Sequence, residues 1–163
     1  MYDRDSQENW KKLASKILPV GQAPQHSGYD CRISYPLEVL QARVNSLGID
    51  NKYVKQWFTV QEQVLKACSD PTAASANLPD PIEVDAAQAQ LQKDDRAYQE
   101  ASIPFYRDKP KAIDLFRAIG NSTSPHMAAA RYNIANLLAN AKNIAEARKE
   151  AAAILADPAL ASV

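Results

Sequence analysis

Ala130-Arg131-Tyr132-Asn133-Ile134-Ala135-Asn136-Leu137-Leu138 is the stretch whose reading decides the fold. It lies inside a predicted helix over 126–139, opened by Ser124 and Pro125. A second helix, 144–155, follows from Asn143, with Glu146 three residues on in a capping-box-like arrangement. Tyr98 starts a comparable stretch 34 residues before Tyr132. A period of that size, built of short paired helices, is the mark of a helical-repeat array. Alanine use agrees: 14 of the 28 alanines fall in residues 128–163, and helix axes approach to about 8–10 Å only where small contact residues allow it.

Working back from there, a predicted helix over 94–107 carries Tyr98-Gln-Glu-Ala-Ser-Ile-Pro-Phe-Tyr106. A turn at 108–110 leads to a helix over 110–119 with Ala112, Phe116 and Ile119, stopped by Gly120. Pro104 should kink the first of these, because its ring clashes with the carbonyl four residues back. Asp94 and Asp95 read as first-turn acids favoured by the helix dipole. At the other end, Asp157-Pro158 begins a further helix.

These segments resemble tetratricopeptide repeats. Ala135 takes the small-residue position of the first helix, Leu138 the aromatic one, and Ala147 the packing position of the second helix. Asp157-Pro158 is similar to the closing proline step. The earlier copy departs from the pattern at Ser102 and Pro104, and its turn is about two residues shorter. The resemblance implies a short α-solenoid whose groove is lined by the first helix of each pair. On this chain that means Tyr132, Asn133, Asn136 and Asn140, with Arg96, Gln99, Glu100, Ile103, Tyr106 and Arg107 from the weaker copy. Asn133, Asn136 and Asn140 share one helix face, and the amide offers donor and acceptor together, which suits an extended peptide backbone. The alternative is a solvated polar face with no ligand.

The N-terminal half reads differently. Trp10, Leu13, Ala14, Ile17 and Leu18 form one apolar face of a helix over 6–18, stopped by Pro19. Residues 19–35 show no periodicity. A helical hairpin follows: Ser34 caps a helix over 36–47 bearing Leu37, Leu40, Val44 and Leu47, Gly48 stops it, and Asp50 caps a helix over 51–68. The second helix buries Val54, Trp57, Phe58, Gln61, Val64, Leu65 and Cys68. Residues 69–85 are a proline-punctuated connection and 86–92 a short helix. The domain reading is therefore 1–69, a linker over 70–93, and repeat pairs over 94–163.

Cys31 precedes the hairpin and Cys68 closes it. Antiparallel helices put those two points at the same end of the pair, so a disulfide is geometrically open. It would point to an oxidising compartment. Two buried reduced thiols, or a metal site with His26, are the other readings.

A narrower resemblance is to a group of uncharacterised exported bacterial proteins that carry such repeats. It rests on Asp95-Arg96-Ala97-Tyr98-Gln99, Phe105-Tyr106, Ser124-Pro125 and the cysteine on either side of the hairpin. It implies a periplasmic or otherwise exported protein; a cytoplasmic one is the alternative. Against that pattern the chain opens without a leader and stops inside a helix, so a longer natural chain is expected.

Charge narrows the partners. The 19 basic and 19 acidic residues cancel, which removes the long-range attraction that nucleic acid or an anionic membrane surface uses. No apolar run reaches the length of a membrane span. Catalysis finds little footing: His26 and His126 read as solvated, no catalytic motif is present, and neither cofactor nor resident metal is expected. The expectation is thus an all-α chain, a helical hairpin followed by a short tetratricopeptide-like α-solenoid. It would serve as a non-catalytic protein- or peptide-binding module. The alternatives are an accessory helical domain of a larger, for example cell-wall-acting, enzyme, or a homo-oligomer joined through the open C-terminal repeat.

Overall fold

The computed structural model describes residues 4–24, 31–70, 78–158 and 160. Among them are seven α-helices, a single 3-10 turn and no strand. The chain divides into two compact units, Met1–Asp85 and Ala86–Val163.

The first unit holds α1 (Arg4–Ile17), α2 (Ser34–Leu47) and α3 (Lys52–Ser69). Its interior is aromatic. Trp10 of α1 stacks on Phe58 of α3 at 5.3 Å between ring centres, and its indole N–H donates to the buried Glu62 carboxylate at 3.2 Å. That bond meets the need of a carboxylate taken out of water. On α2, Leu37, Val39 and Leu40 are buried, while Val44 and Leu47 are half-buried.

Two caps differ from the sequence reading. The α2 helix starts at Ser34 with Ile33 before it and no side-chain cap. Pro36 then sits in the first turn, where a missing amide hydrogen costs no helical bond. At α3 the cap is Asn51, which accepts from the Tyr53 amide at 2.8 Å; Asp50 instead pairs with Lys55 at 3.5 Å on the surface. Gly48 ends α2 as expected, with φ +87°, the region that favours glycine. After α3, Gln56 pins the proline-rich connection, its amide nitrogen donating to the Asp80 carbonyl and its oxygen accepting from the Ile82 amide, at 2.7 and 3.2 Å.

Cys31 and Cys68 are disulfide-bonded, with Cα atoms 6.1 Å apart. Of the three readings open to the two cysteines, the geometry takes this one. The third ligand of the metal reading, His26, lies outside the described residues.

The second unit holds α4 (Ala86–Ser102), α5 (Lys109–Gly120), α6 (Met127–Asn140) and α7 (Ile144–Ala156), with the 3-10 turn Pro104–Tyr106 after α4. Each helix packs against the next in the chain. Phe116, Ile119, Ile134, Leu137 and Leu138 supply the bulk of the core. Ala101, Ala112, Ala130 and Ala147, one from each helix, supply the close approach.

Several expectations need correction. The segments 86–92 and 94–107 are not two helices, because nothing between Gln92 and Asp95 breaks the backbone ladder; α4 runs through. It then ends at Ser102 rather than bending at Pro104, since proline can start the 3-10 turn but cannot continue the helix. Gly120 is the last residue of α5, not a stop beyond it, and a Cβ there would lie 3.0 Å from the Arg131 Cγ. Ala135 is half-buried and lies outside the core that contains Ala147; Ala130 is the small buried residue of α6. At Asp157 and Pro158 the described residues form a turn, the Leu160 amide donating to the Asp157 carbonyl at 2.9 Å with Leu160 buried; the rest of the helix expected there, 159 and 161–163, lies outside the described residues.

Candidate functional site

The face shared by α4 and α6 is built on polar contacts that join helices two apart in the chain. His126, at the start of α6, places its Nε2 2.6 Å from the Asp95 Oδ1 of α4. Both side chains are about 98–99% buried, with exposures of 2% and 1%. An ionised carboxylate can only accept, so with Asp95 ionised the ring N–H is the donor. Tyr98 lies one turn along from Asp95, and its ring stacks on His126 at 4.8 Å and meets Phe116 edge-on at 5.5 Å. Its hydroxyl then accepts from the Asn133 amide at 2.9 Å. The start of α6 is fixed by a serine relay. The Ser124 hydroxyl accepts from the His126 amide, and the Ser124 amide donates to Ser122, both at 3.1 Å.

This overturns two parts of the sequence reading. Asp95 is not a solvated first-turn acid, because the α4 helix begins nine residues earlier and turns Asp95 inward. His126 is not a solvated residue either; Ser124 holds its backbone so that the ring points at α4. No motif marks the pair. A trace in the sequence is the i, i+3, i+4 spacing of Asp95, Tyr98 and Gln99, a polar stripe buried at Asp95 and Gln99 and partly buried at Tyr98, which escapes a search for apolar periodicity.

The residues expected to line a groove fall into three groups. Gln99 is buried, at 3% exposure, and so belongs to the interior. Arg96, Ile103, Asn136 and Asn133 are half-buried, the last bonded to Tyr98. The rest reach the surface: Tyr132 at 56% and Tyr106 at 44% exposure, with Arg107 and Asn140. Arg96 is held by Glu100 at 2.7 Å, and Asn136 accepts from Asn140 at 3.0 Å. Tyr106 and Arg107 present themselves from the 3-10 turn and its end, not from a helix.

The arrangement offers amide and phenol groups for hydrogen bonding and two tyrosine rings for stacking. The Asp95–His126 pair is sealed from solvent and so has no access to a substrate. Among the described residues no three His, Cys, Asp or Glu side chains come together as a metal site, and none of the described helices is long and apolar enough to cross a membrane. Compared with protein-family models, with curated proteins and with solved structures, the chain matches none of them.

Proposed function

We propose that the Ala86–Val163 unit is a non-catalytic interaction module that holds an extended segment of a partner protein against the α4–α6 face. One observation carries this reading: the Asp95–His126 and Tyr98–Asn133 bonds tie α4 to α6 and the residue that precedes it, although the two helices are not chain neighbours. Tyr132 of α6 and Tyr106 of the 3-10 turn that follows α4 carry exposed rings. Rings of this kind bring large contact area at low entropic cost, and Asn136 and Asn140 of α6 and Arg107 after the 3-10 turn add hydrogen-bonding groups. The stacking of each helix on the next suits a tetratricopeptide-like array, and the disulfide suits an exported protein.

The test is a pull-down from the periplasmic fraction of a bacterium expressing the protein, comparing the parent with Tyr132→Ala/Asn136→Ala. These two residues lie outside the Asp95–His126 and Tyr98–Asn133 clamp. Loss of a captured partner with an unchanged thermal melt is expected. Equal recovery by both proteins would refute the groove.

A second reading is self-association through α7. Only Ala147 of that helix is buried, whereas Ile144 and Leu155 are 48% and 79% exposed. They stand eleven residues apart, about three helical turns, and so lie on one stripe. Sedimentation over a range of concentrations separates the readings, since Leu155→Glu would abolish a dimer and leave groove binding intact.

A further inference from the structure

On another side of the second unit, α5, α6 and α7 meet around an open cleft of about 250 Å³. Each helix sends one cation to it: Arg117 from α5, Arg131 from α6 and Lys149 from α7. Asn121, just past the end of α5, adds an amide, and Glu150 is the one acid in the lining. The floor depends on Gly120, because any larger residue would push on the Arg131 side chain 3.0 Å away.

Charge is concentrated here in a chain whose net charge is zero. Arg131 is already held by the Asp157 carboxylate at 3.3 Å. Arg117 and Lys149 have no ion-pair partner among the described residues. Counting Asp157 with the lining leaves three cations facing two acids. Arg131 shows what this corner accepts, a carboxylate oxygen, and two further cations stand beside it unneutralised. Cations at the end of α5 also complement its dipole, which accounts for Arg117 alone but not for the convergence of three helices.

The geometry points to this cleft as a binding site for a single oxyanion group, a carboxylate or phosphate, held between Arg117 and Lys149 with Asn121 donating. Guanidinium and ammonium groups recognise such oxygens by charge-assisted hydrogen bonds. The group would come either from a free anion or from an acidic side chain of a bound peptide. The site is separate from the α4–α6 groove and stands or falls without it.

Two titrations followed by amide NMR test it, one with inorganic phosphate and one with a short peptide bearing a single glutamate in an otherwise neutral sequence. Saturable shifts at the Gly120, Asn121 and Lys149 amides are expected in at least one of them. Saturation by phosphate alone identifies a free-anion site, and saturation by the peptide, lost when its glutamate is glutamine, identifies an acidic-peptide site. The Arg117→Ala/Lys149→Ala variant should bind roughly tenfold more weakly or worse. Arg117→Lys/Lys149→Arg should retain saturable binding, and Lys12→Ala/Lys16→Ala, on exposed α1 positions, should bind as the parent does. Linear shifts with both probes, or equal binding by the parent and the alanine variant, would overturn the assignment.

Discussion

The two compact units solve the same problem with opposite materials. Met1–Asp85 fills its interior with large rings, Trp10, Tyr53, Trp57 and Phe58, and ties its hairpin with a disulfide. Ala86–Val163 brings helices together on alanines and fixes their register with one buried polar pair, Asp95 and His126. Large apolar side chains tolerate small slips between helices, because the gain in area is non-directional. Alanine contacts offer little area and no direction. A buried hydrogen bond, by contrast, is satisfied in one arrangement and costly in all others. Both units hold a buried polar bond between helices, Trp10 to Glu62 in the first and Asp95 to His126 in the second; the contrast teaches that the one set among alanines has more of the register to fix.

Breaking the disulfide should give the largest effect. In the chain-entropy account, a link across a sequence separation of 37 contributes about 3–4 kcal/mol. Cys31→Ser/Cys68→Ser is expected to lower the unfolding free energy of the N-terminal unit, obtained from its urea transition, by that amount. Tryptophan fluorescence reads it directly, because both tryptophans lie in that unit. No change in midpoint would remove the covalent half of the comparison.

Next comes the polar clamp. Asp95→Ala leaves a buried imidazole N–H without its carboxylate and should cost about 3 kcal/mol, followed by circular dichroism in urea. Replacing both partners with apolar residues, Asp95→Leu/His126→Phe, should recover most of that loss, because no polar group is then stranded. A double variant as weak as the sum of its parts would show that the pair is not coupled.

The smallest effect sharpens the account of close approach. Gly120→Ala places a methyl 3.0 Å from the Arg131 Cγ. The arginine stem is flexible, so a loss of about 1 kcal/mol is expected, partly offset by alanine's better helix propensity. A loss above about 3 kcal/mol would mean that backbone, not a side chain, is displaced.

Much of this architecture was legible beforehand. Helix faces such as Trp10, Ala14 and Ile17, or Phe116 and Ile119, announce themselves because apolar spacing and burial coincide. Boundaries were less so. Asp50 and Asn51 are both good caps, and only the turn after Gly48 decides which side chain reaches the helix amides. Pro104 was read as a kink because the sequence shows the obstruction but not whether the chain resumes beyond it. Asp95 and His126 mislead for a deeper reason. Their partnership spans 31 residues and two intervening turns, and charged residues at helix starts are usually solvated. The repeat pattern assigns Tyr132 and Asn136 to a groove; Tyr132 is exposed and Asn136 half-buried. Gln99 was placed there too, yet the continuous α4 helix rotates it inward.

The contacts that Asp95 and Tyr98 of α4 make with His126 and Asn133 form the clamp, and the proposed groove rests on them. The most direct check is a proton NOE measurement between the Tyr98 ring and the His126 imidazole, whose centres lie 4.8 Å apart. Strong cross-peaks, with a slowly exchanging imidazole N–H, are the expected result. Absent cross-peaks and an imidazole in fast exchange with water would contradict the placement.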